Sequence, residues 1–390
     1  MFNAIITKKQ KLLVLQTHPI QYYAPIYQTL VQRDKIDVVV IYLTDAGAKT
    51  HFDPGFNREV KWDIDLLAGY RYRVLQPDSS LNNRSFWKKY DTILTKLISE
   101  EVPDWILLYG YSSRMNWVTW WHAQKHGIKL LYTSDSNGRI EATKSKLHAY
   151  IKKSIVSRFF KSINYFLSPS DANREYLIRY GAPQAKIIWS PFAIEVTRFN
   201  NDNKNTERPF SFVWAGKLIE LKCCEDYLIA LTVLRKEGLN FRALLVGDGP
   251  LYGALSPLAK SLQSTNHLER HRFINQSAMP KFLASAEILV FTSEKDAYGL
   301  IATEAAASGC ALVVADKIGC VGSSGSAQPD INTLIYPCRD ISKLVNCMRS
   351  LLLDKNKLKT MQTASIEISL QHDVQCSANI IENTIYGILK

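Results

Sequence analysis

Two carboxylates, Asp296 and Glu304, bracket the stretch Asp296-Ala-Tyr-Gly-Leu-Ile-Ala-Thr-Glu304. An apolar run, Ile288-Leu-Val-Phe291, precedes it, and a small-residue segment, Ala305-Ala-Ala-Ser308, follows and is stopped by Gly309. A second apolar run, Ala311-Leu-Val-Val-Ala315, comes next. The order is strand, loop, helix, strand, and ligands of open α/β sheets sit at the carboxyl ends of strands. One acid in the loop and one in the early helix could accept hydrogen bonds from the vicinal hydroxyls of a sugar or ribose. A solvated loop acid and a helix-dipole acid would leave the same pattern.

Other segments repeat this strand-then-loop logic. Gly216-Lys217-Leu-Ile-Glu-Leu-Lys222 places two lysines around a turn into a helix, a natural anion site for a diphosphate. Val246-Gly-Asp-Gly-Pro250 ends another strand, with Gly247 and Gly249 permitting a tight turn and Pro250 suiting a first helical turn. Near the start, Gln16-Thr-His-Pro-Ile-Gln-Tyr-Tyr-Ala-Pro25 puts His18, Gln21 and Tyr22 after the first strand, where they could bind an acceptor. Tyr132-Thr-Ser-Asp135-Ser-Asn137 ends a later strand, and Asp135 is a candidate polar catalytic group or an Asx-turn former.

These residues need elements to hold them, and the chain supplies an alternation. Strands are expected at Lys11–Leu15, Asp37–Leu43, Trp105–Tyr109, Lys129–Tyr132, Tyr165–Ser168 and Lys186–Trp189, with helices at Tyr23–Arg33 and Trp117–His126. Residues 45–90 are aromatic and irregular and read as excursions from the sheet. A polar linker, Asn200 to Pro209, precedes a second alternation. Its strands are expected at Ser211–Trp214, Phe241–Val246, Arg272–Ile274, Ile288–Phe291 and Leu312–Val314, with a helix at Glu225–Lys236. This rhythm argues for parallel sheets with crossover helices. The fold class is therefore α/β, two tandem Rossmann-like doubly wound domains facing a cleft, the usual place for a small-molecule site. The division is residues 1–195, 196–370, and a C-terminal helix within 371–390 returning to the first domain.

Composition bounds the rest. The chain has 390 residues, 46% hydrophobic and 11% aromatic, which describes a folded protein. No apolar run approaches the ~20 residues of a membrane helix. The start lacks the apolar core of a signal peptide. A cytoplasmic protein is expected. The seven cysteines show no paired Cys-x-x-Cys spacing, so reduced thiols and no metal site are expected. Of the net charge of +12, residues 1–195 carry 27 Lys+Arg against 17 Asp+Glu. A basic N-terminal half suggests an anionic partner. Within residues 142–161, Lys144, Lys146, Lys152, Lys153, Arg158 and Lys161 interleave with Leu147, Ile151, Ile155 and Phe159. This basic amphipathic helix could bind an anionic membrane surface, peripherally at its inner face. No nucleic-acid motif is present, so no nucleic-acid partner is expected.

Taken together, these motifs resemble the retaining glycosyltransferases of family 4, which have the GT-B fold. Their donor domain carries a Gly-Arg-x4-Lys-Gly loop, a Gly-x-Gly-Pro turn and a Glu-x7-Glu motif. The matching stretches are Gly216-Lys217-x4-Lys222-Cys223, Gly247-Asp-Gly-Pro250 and Asp296-Ala-Tyr-Gly-x4-Glu304-Ala305. Pro191 to Phe199 resembles the family's domain junction, Asn332-Thr-Leu-Ile335 its Asn-Gly-Leu-Leu segment, and His18 to Pro25 the opening of some bacterial members. The resemblance implies that Lys217 and Lys222 bind the diphosphate of a nucleotide-sugar and that Glu304 binds the ribose. It implies that Asp296 and the Tyr298-Gly299-Leu300 backbone hold the sugar, with Asp135 beside the reacting centre and no metal needed. The sequence departs from the pattern at Lys217 (for arginine), Cys223 (for glycine) and Asp296 (for glutamate).

The expected function is transfer of a sugar from a nucleoside diphosphate sugar, as co-substrate, to a hydroxyl acceptor with retention. The acceptor is expected to be a lipid-linked or cell-surface glycan precursor. The rival readings are a nucleotide-sugar 2-epimerase on the same fold and a catalytically inactive nucleotide-sugar-binding subunit.

Overall fold

The computed structural model describes residues 9–76, 84–139, 146–200 and 207–388. In chain order the strands of the first half are β1 (Lys11–Gln16), β2 (Asp37–Tyr42), β3 (His51–Asp53), β4 (Arg58–Val60), β5 (Arg71–Val74), β6 (Trp105–Tyr109), β7 (Lys129–Thr133), β8 (Tyr165–Ser168) and β9 (Ile187–Trp189). Seven of them form a parallel sheet in the order β5-β2-β1-β6-β7-β8-β9, while β3 and β4 form a separate antiparallel hairpin. The second half contributes β10 (Phe210–Lys217), β11 (Ala243–Asp248), β12 (Leu268–His271), β13 (Ala286–Phe291), β14 (Ala311–Ala315) and β15 (Thr333–Tyr336). These are parallel in the order β12-β11-β10-β13-β14-β15.

The strands are apolar on both faces because helices cover both faces. In β1 and β2, Leu13, Leu15, Val39 and Ile41 enter one core, and Leu12, Val14, Val38 and Val40 enter the other. The second sheet is enclosed in a single cluster around Trp214, Tyr227, Leu245 and Leu289. The sequence expectation for a strand at Arg272–Ile274 is displaced. The edge strand is Leu268–His271, and the more apolar Phe273-Ile274 lies beyond it, lining the interdomain cavity. The strand holds a single apolar residue, Leu268, because it sits at the sheet edge, which is why apolar runs pointed to its neighbour.

In both sheets the strand order reverses between the first and fourth strands counted from the start of the domain, β1 beside β6 and β10 beside β13. Loops leaving the carboxyl ends at these switch points are where a doubly wound sheet offers a ligand crevice. Within the linker expected at Asn200–Pro209, residues 201–206 lie outside the described residues.

The chain crosses between the halves twice. Ile194 N donates to His372 O at 3.0 Å, Val374 N donates to Ile194 O at 3.1 Å, and Val196 N donates to the Asp373 carboxylate at 3.0 Å, so the crossings are tied together. Beyond them, helix Val374–Tyr386 places Val374, Ala378, Ile381 and Ile385 in the first domain's core. Arg33 clamps the buried Glu382 of that helix with both carboxylate oxygens at 2.9 Å, and Lys35 stands 3.3 Å away. A buried carboxylate stripped of its partner costs about 3–5 kcal/mol. Because Lys35 remains, Arg33→Leu should cost about 2 kcal/mol, and Arg33→Leu with Glu382→Leu should recover part of that loss. Chemical denaturation of the three proteins checks this; an equal or larger loss in the double variant would contradict it.

Candidate active site

The carboxyl ends of the two sheets face one cavity of about 620 Å3. β10 ends in Gly216 and Lys217, and Lys222 follows from a single 3-10 turn over Glu220–Lys222. After β13 come Asp296 to Ile301 and Glu304. From the first domain come Gln21, Tyr22 and Tyr23 after β1, and Asp135 after β7. Thus Gln21, Tyr22, Asp135, Gly216, Lys217, Lys222, Asp296, Tyr298, Gly299, Leu300 and Glu304 share one space. His18 is not among the lining residues; it is exposed, with Thr17 Oγ1 at 2.9 Å from its Nδ1. Gly247 is not among them either and pairs with Gly216 across the sheet. Gly249 lies just outside, in a neighbouring cavity of about 600 Å3 lined by Arg58, Asp248 and Arg272.

Hydrogen bonds fix the loops after β10 and β13 to each other. Trp214 Nε1 donates to Thr292 Oγ1 at 2.9 Å, and that hydroxyl donates to the Lys222 carbonyl at 2.8 Å. Glu294 N donates to Leu221 O at 2.9 Å. The Lys222 ammonium is ion-paired with Asp296. Cys223, just after it, adopts a left-handed backbone with φ of +50°, and helix Cys224–Lys236 starts from it. This is the position where the resemblance has glycine, the residue that takes such a backbone at least cost.

On the other side of the cavity wall, Gly299 opens helix Leu300–Ala307 with φ of +96°, and a Cβ there would fall 2.5 Å from the Phe291 ring. Glycine is therefore required, and it lets the backbone of Gly299, Leu300 and Ile301 line the cavity. The helix's N-terminal amides and dipole favour an anion there. The Tyr298 side chain is itself buried, edge-on to Phe192 at 5.1 Å, so it offers the cavity its backbone.

Glu304 is buried, and its Oε1 has no hydrogen-bond partner among the described residues. Burial pushes its carboxyl up from 4.5 to about 7, with Arg198 and Tyr22 pulling the other way. An orphaned buried acceptor is costly, and a hydroxyl donor would satisfy it. Asp135 is open to the cleft but enclosed by both domains; that enclosure, then the nearby Asp296, raises its carboxyl. Lys217 is ion-paired across the domain boundary with Asp53, at 3.1 and 2.8 Å to its two oxygens. Asp53 was not singled out in the sequence. Its only signal was a turn-forming Asp-Pro-Gly at positions 53–55 within the irregular segment.

The first domain touches this site through further bonds. Asn137 Nδ2 donates to Ala297 O and Arg139 Nη1 to Ile318 O, each at 2.7 Å. Both acceptors flank the loop after β13, because Asp296 pairs with Ile318 in a parallel bridge.

A carboxyl raised by folding binds its proton more tightly in the folded chain. Its contribution to stability is full below 4.5 and is lost as pH rises through about 7. Glu304→Gln should therefore flatten the fall in stability of the ligand-free chain between about pH 5 and about pH 7, a difference on the order of 2–3 kcal/mol. Thermal unfolding of both proteins across that range measures it; parallel curves would show that the carboxyl titrates normally.

Comparison with known proteins adds to this geometry. Residues 196–367 match the family described as "Glycosyl transferases group 1". The chain is 24% identical over 244 residues to the N,N'-diacetylbacillosaminyl-diphospho-undecaprenol alpha-1,3-N-acetylgalactosaminyltransferase of Campylobacter jejuni, covering 59% of this chain and 62% of that one. It is 22% identical over 221 residues to the N-acetyl-alpha-D-glucosaminyl L-malate synthase of Bacillus anthracis, covering 47% and 55%. The chain thus spans between half and two thirds of the length of these relatives. Among solved structures, HepE of Anabaena in complex with UDP superposes with a TM-score of 0.71 at 16% identity, covering 97% of this chain and 100% of that one. The chain has the two-domain GT-B fold, and its residues 196–367 carry the sequence pattern of the group 1 glycosyl transferases.

Proposed function

We propose that this protein is a glycosyltransferase of the retaining family 4 type, moving a sugar from a nucleoside diphosphate sugar to a hydroxyl acceptor. One observation carries the reading. A single interdomain cavity gathers two lysines from one loop, the N-terminus of helix Leu300–Ala307, and a buried carboxylate with an unpartnered oxygen. That set matches the parts of such a donor. The lysines and amides suit a diphosphate, and the free Glu304 oxygen suits a ribose hydroxyl. Asp296 and the Gly299-Leu300 backbone suit the sugar. The sugar-transferring relatives and the fold shared with a UDP complex support it.

Bond breaking would leave negative charge on the diphosphate. Lys217, Lys222 and the helix amides are placed to stabilise that charge more as it develops, which is what accelerates the step. The sugar's C1 becomes oxocarbenium-like, the acceptor hydroxyl attacks from the same face, and its proton passes to the departing phosphate oxygen. Asp135 stands on the acceptor side of the cavity, where a raised carboxyl can orient the incoming hydroxyl. Lys222→Ala should lower transfer by about 100-fold or more while the fold is kept. Product analysis with and without acceptor checks this and separates transfer from epimerisation; near-normal turnover would reject the diphosphate assignment.

The acceptor is proposed to be a lipid-linked or cell-surface glycan precursor, met at an anionic membrane surface. Among the described residues no helix is long and apolar enough to cross a membrane. Helix Lys146–Lys161 buries Val156, Phe159 and Phe160 but exposes Leu147 (67%), Tyr150 (73%), Ile151 (47%) and Ile155 (50%) beside exposed Lys153 and Arg158. Residues 142–145 of the basic segment lie outside the described residues. An apolar stripe flanked by cations is what a surface-bound helix presents to acidic headgroups. In liposome flotation the chain should rise with anionic vesicles, less at high salt, and Ile151→Asp with Ile155→Asp should abolish this. Equal, negligible binding to anionic and neutral vesicles would refute the membrane surface.

A further inference from the structure

We propose that Asp53 is the counter-ion a donor diphosphate displaces from Lys217, so that filling the cavity releases the tip of the β3–β4 hairpin from the C-terminal domain. The proposal rests on reading the cavity as a nucleotide-sugar site.

The hairpin tip is built around that lysine. Both Asp53 oxygens reach its ammonium, and the Phe56 ring centre lies 4.9 Å from it. A Cβ on Gly55 would fall 2.6 Å from Lys217 Cδ. From the far side, Gly249 presses on the tip; with φ of +151° it could not carry a side chain, since a Cβ would sit 2.8 Å from Gly55 O. The tip is thus seated between the lysine loop and the Gly-x-Gly-Pro turn.

Charge then poses a problem. The cations lining the cavity among the described residues are Lys217 and Lys222, and both are already paired with carboxylates. A dianionic ligand meets no unpaired ammonium there and must take one from its partner. Lys222 and Asp296 sit on loops of one domain that are bonded to each other, so that pair parts with difficulty. Asp53 sits on a two-stranded excursion of the other domain, with three residues in each strand and no pairing to the main sheet. Burial pushes the Asp53 carboxyl up, but Lys217 and the Phe56 and Gly55 amides outweigh it and hold it below the usual range. It stays ionised, and an arriving diphosphate repels it as Lys217 changes partner. The tip's other contacts with that domain are Arg58 to Asp248 at 3.7 Å and the Phe56 and Arg58 side chains against the Phe273 ring, and these are weak without the ion pair. Just past β4, Lys61 O accepts from Asn275 Nδ2 at 2.7 Å and Asp63 accepts from Ser277 N at 3.1 Å, so the base stays anchored and the tip is what lifts.

Asp53→Asn tests the exchange, because asparagine still accepts the Gly55 and Phe56 amide bonds that shape the turn. Inorganic diphosphate and UDP serve as probes, by calorimetry. The variant should bind them about 3- to 10-fold tighter than the native chain, having lost the competing carboxylate. Limited trypsin digestion reads the hairpin. Cleavage after Arg58 should quicken with diphosphate in the native chain and be quick without it in the variant. Equal or weaker binding by Asp53→Asn overturns the exchange, as does hairpin cleavage indifferent to diphosphate, in a native chain whose binding Lys222→Ala abolishes; the donor reading then stands. No response of the native chain to either probe overturns both.

Discussion

Two separately buried sheets can share a ligand only if their carboxyl-terminal edges are kept face to face, and the polar contacts across the cleft impose that constraint here. Asn137 and Arg139 donate to the Ala297 and Ile318 carbonyls, and Asp171 accepts from Ser324 N at 3.1 Å and its hydroxyl at 2.8 Å. Trp189 Nε1 donates to Ser324 O at 2.9 Å. Such bonds contribute only about 1 kcal/mol each net of water, but they are directional, so together they fix geometry more than they add stability. The hinge is equally narrow. Two chain crossings are bonded to each other at Ile194 and Asp373, so both passages between the domains run through one place.

Within that frame the cavity is electrostatically crowded. Asp135, Asp296 and Glu304 share it with two lysines. Burial makes ionised Glu304 expensive, and Asp135 feels Asp296. The ligand-free site meets this with a Glu304 carboxyl raised to about 7 and with ion pairing at both lysines. A ligand carrying hydroxyls and a diphosphate supplies donors where the protein lacks them and anionic oxygens where the protein has used its own. Burial creates a demand in one place and a competitor in the other, and both follow from the same low-dielectric enclosure.

Much of the fold was legible because parallel strands covered on both faces are near-continuous apolar runs. Trp105–Tyr109 and Tyr165–Ser168 coincide with β6 and β8; β10 extends past its expected end through Gly216 to Lys217, β2 and β9 are each one residue shorter than expected, and β11 is shifted by two residues. Edge strands were harder. At β12, Leu-Glu-Arg-His gives one apolar residue, and the eye moves to Phe273-Ile274. β5 reads Arg-Tyr-Arg-Val and gave no signal. In the basic helix, equal spacing put Phe159 on a stripe with Leu147, Ile151 and Ile155, yet Phe159 is buried while the other three are exposed. A helix that leans into the core only at its C-terminal end cannot be told by period from one that lies along it. The lysines and the loop acids were legible because chemistry and position coincided at strand ends. Asp53 was not, because its partner lies 164 residues away and only tertiary structure joins them.

The departures from the motifs this sequence resembles are not independent substitutions. Arginine at position 217 would bring a planar fork with donors on several nitrogens, larger than an ammonium. At that place the side chain already runs against Gly55 and beneath Phe56, and its head sits between the two oxygens of Asp53. A compact point charge fits a carboxylate clamp of this kind; a guanidinium would have to push the tip off Gly249. Lysine at 217, glycine at 55 and aspartate at 53 therefore constitute one device. Cys223 differs in kind: its left-handed backbone is held by the turn around it, with its thiol donating weakly to Glu220 O at 3.4 Å, and the cost of a side chain there is borne by burial at 3% exposure. The first departure changes how the site exchanges charge, whereas the second leaves the backbone path of the loop as a glycine would trace it.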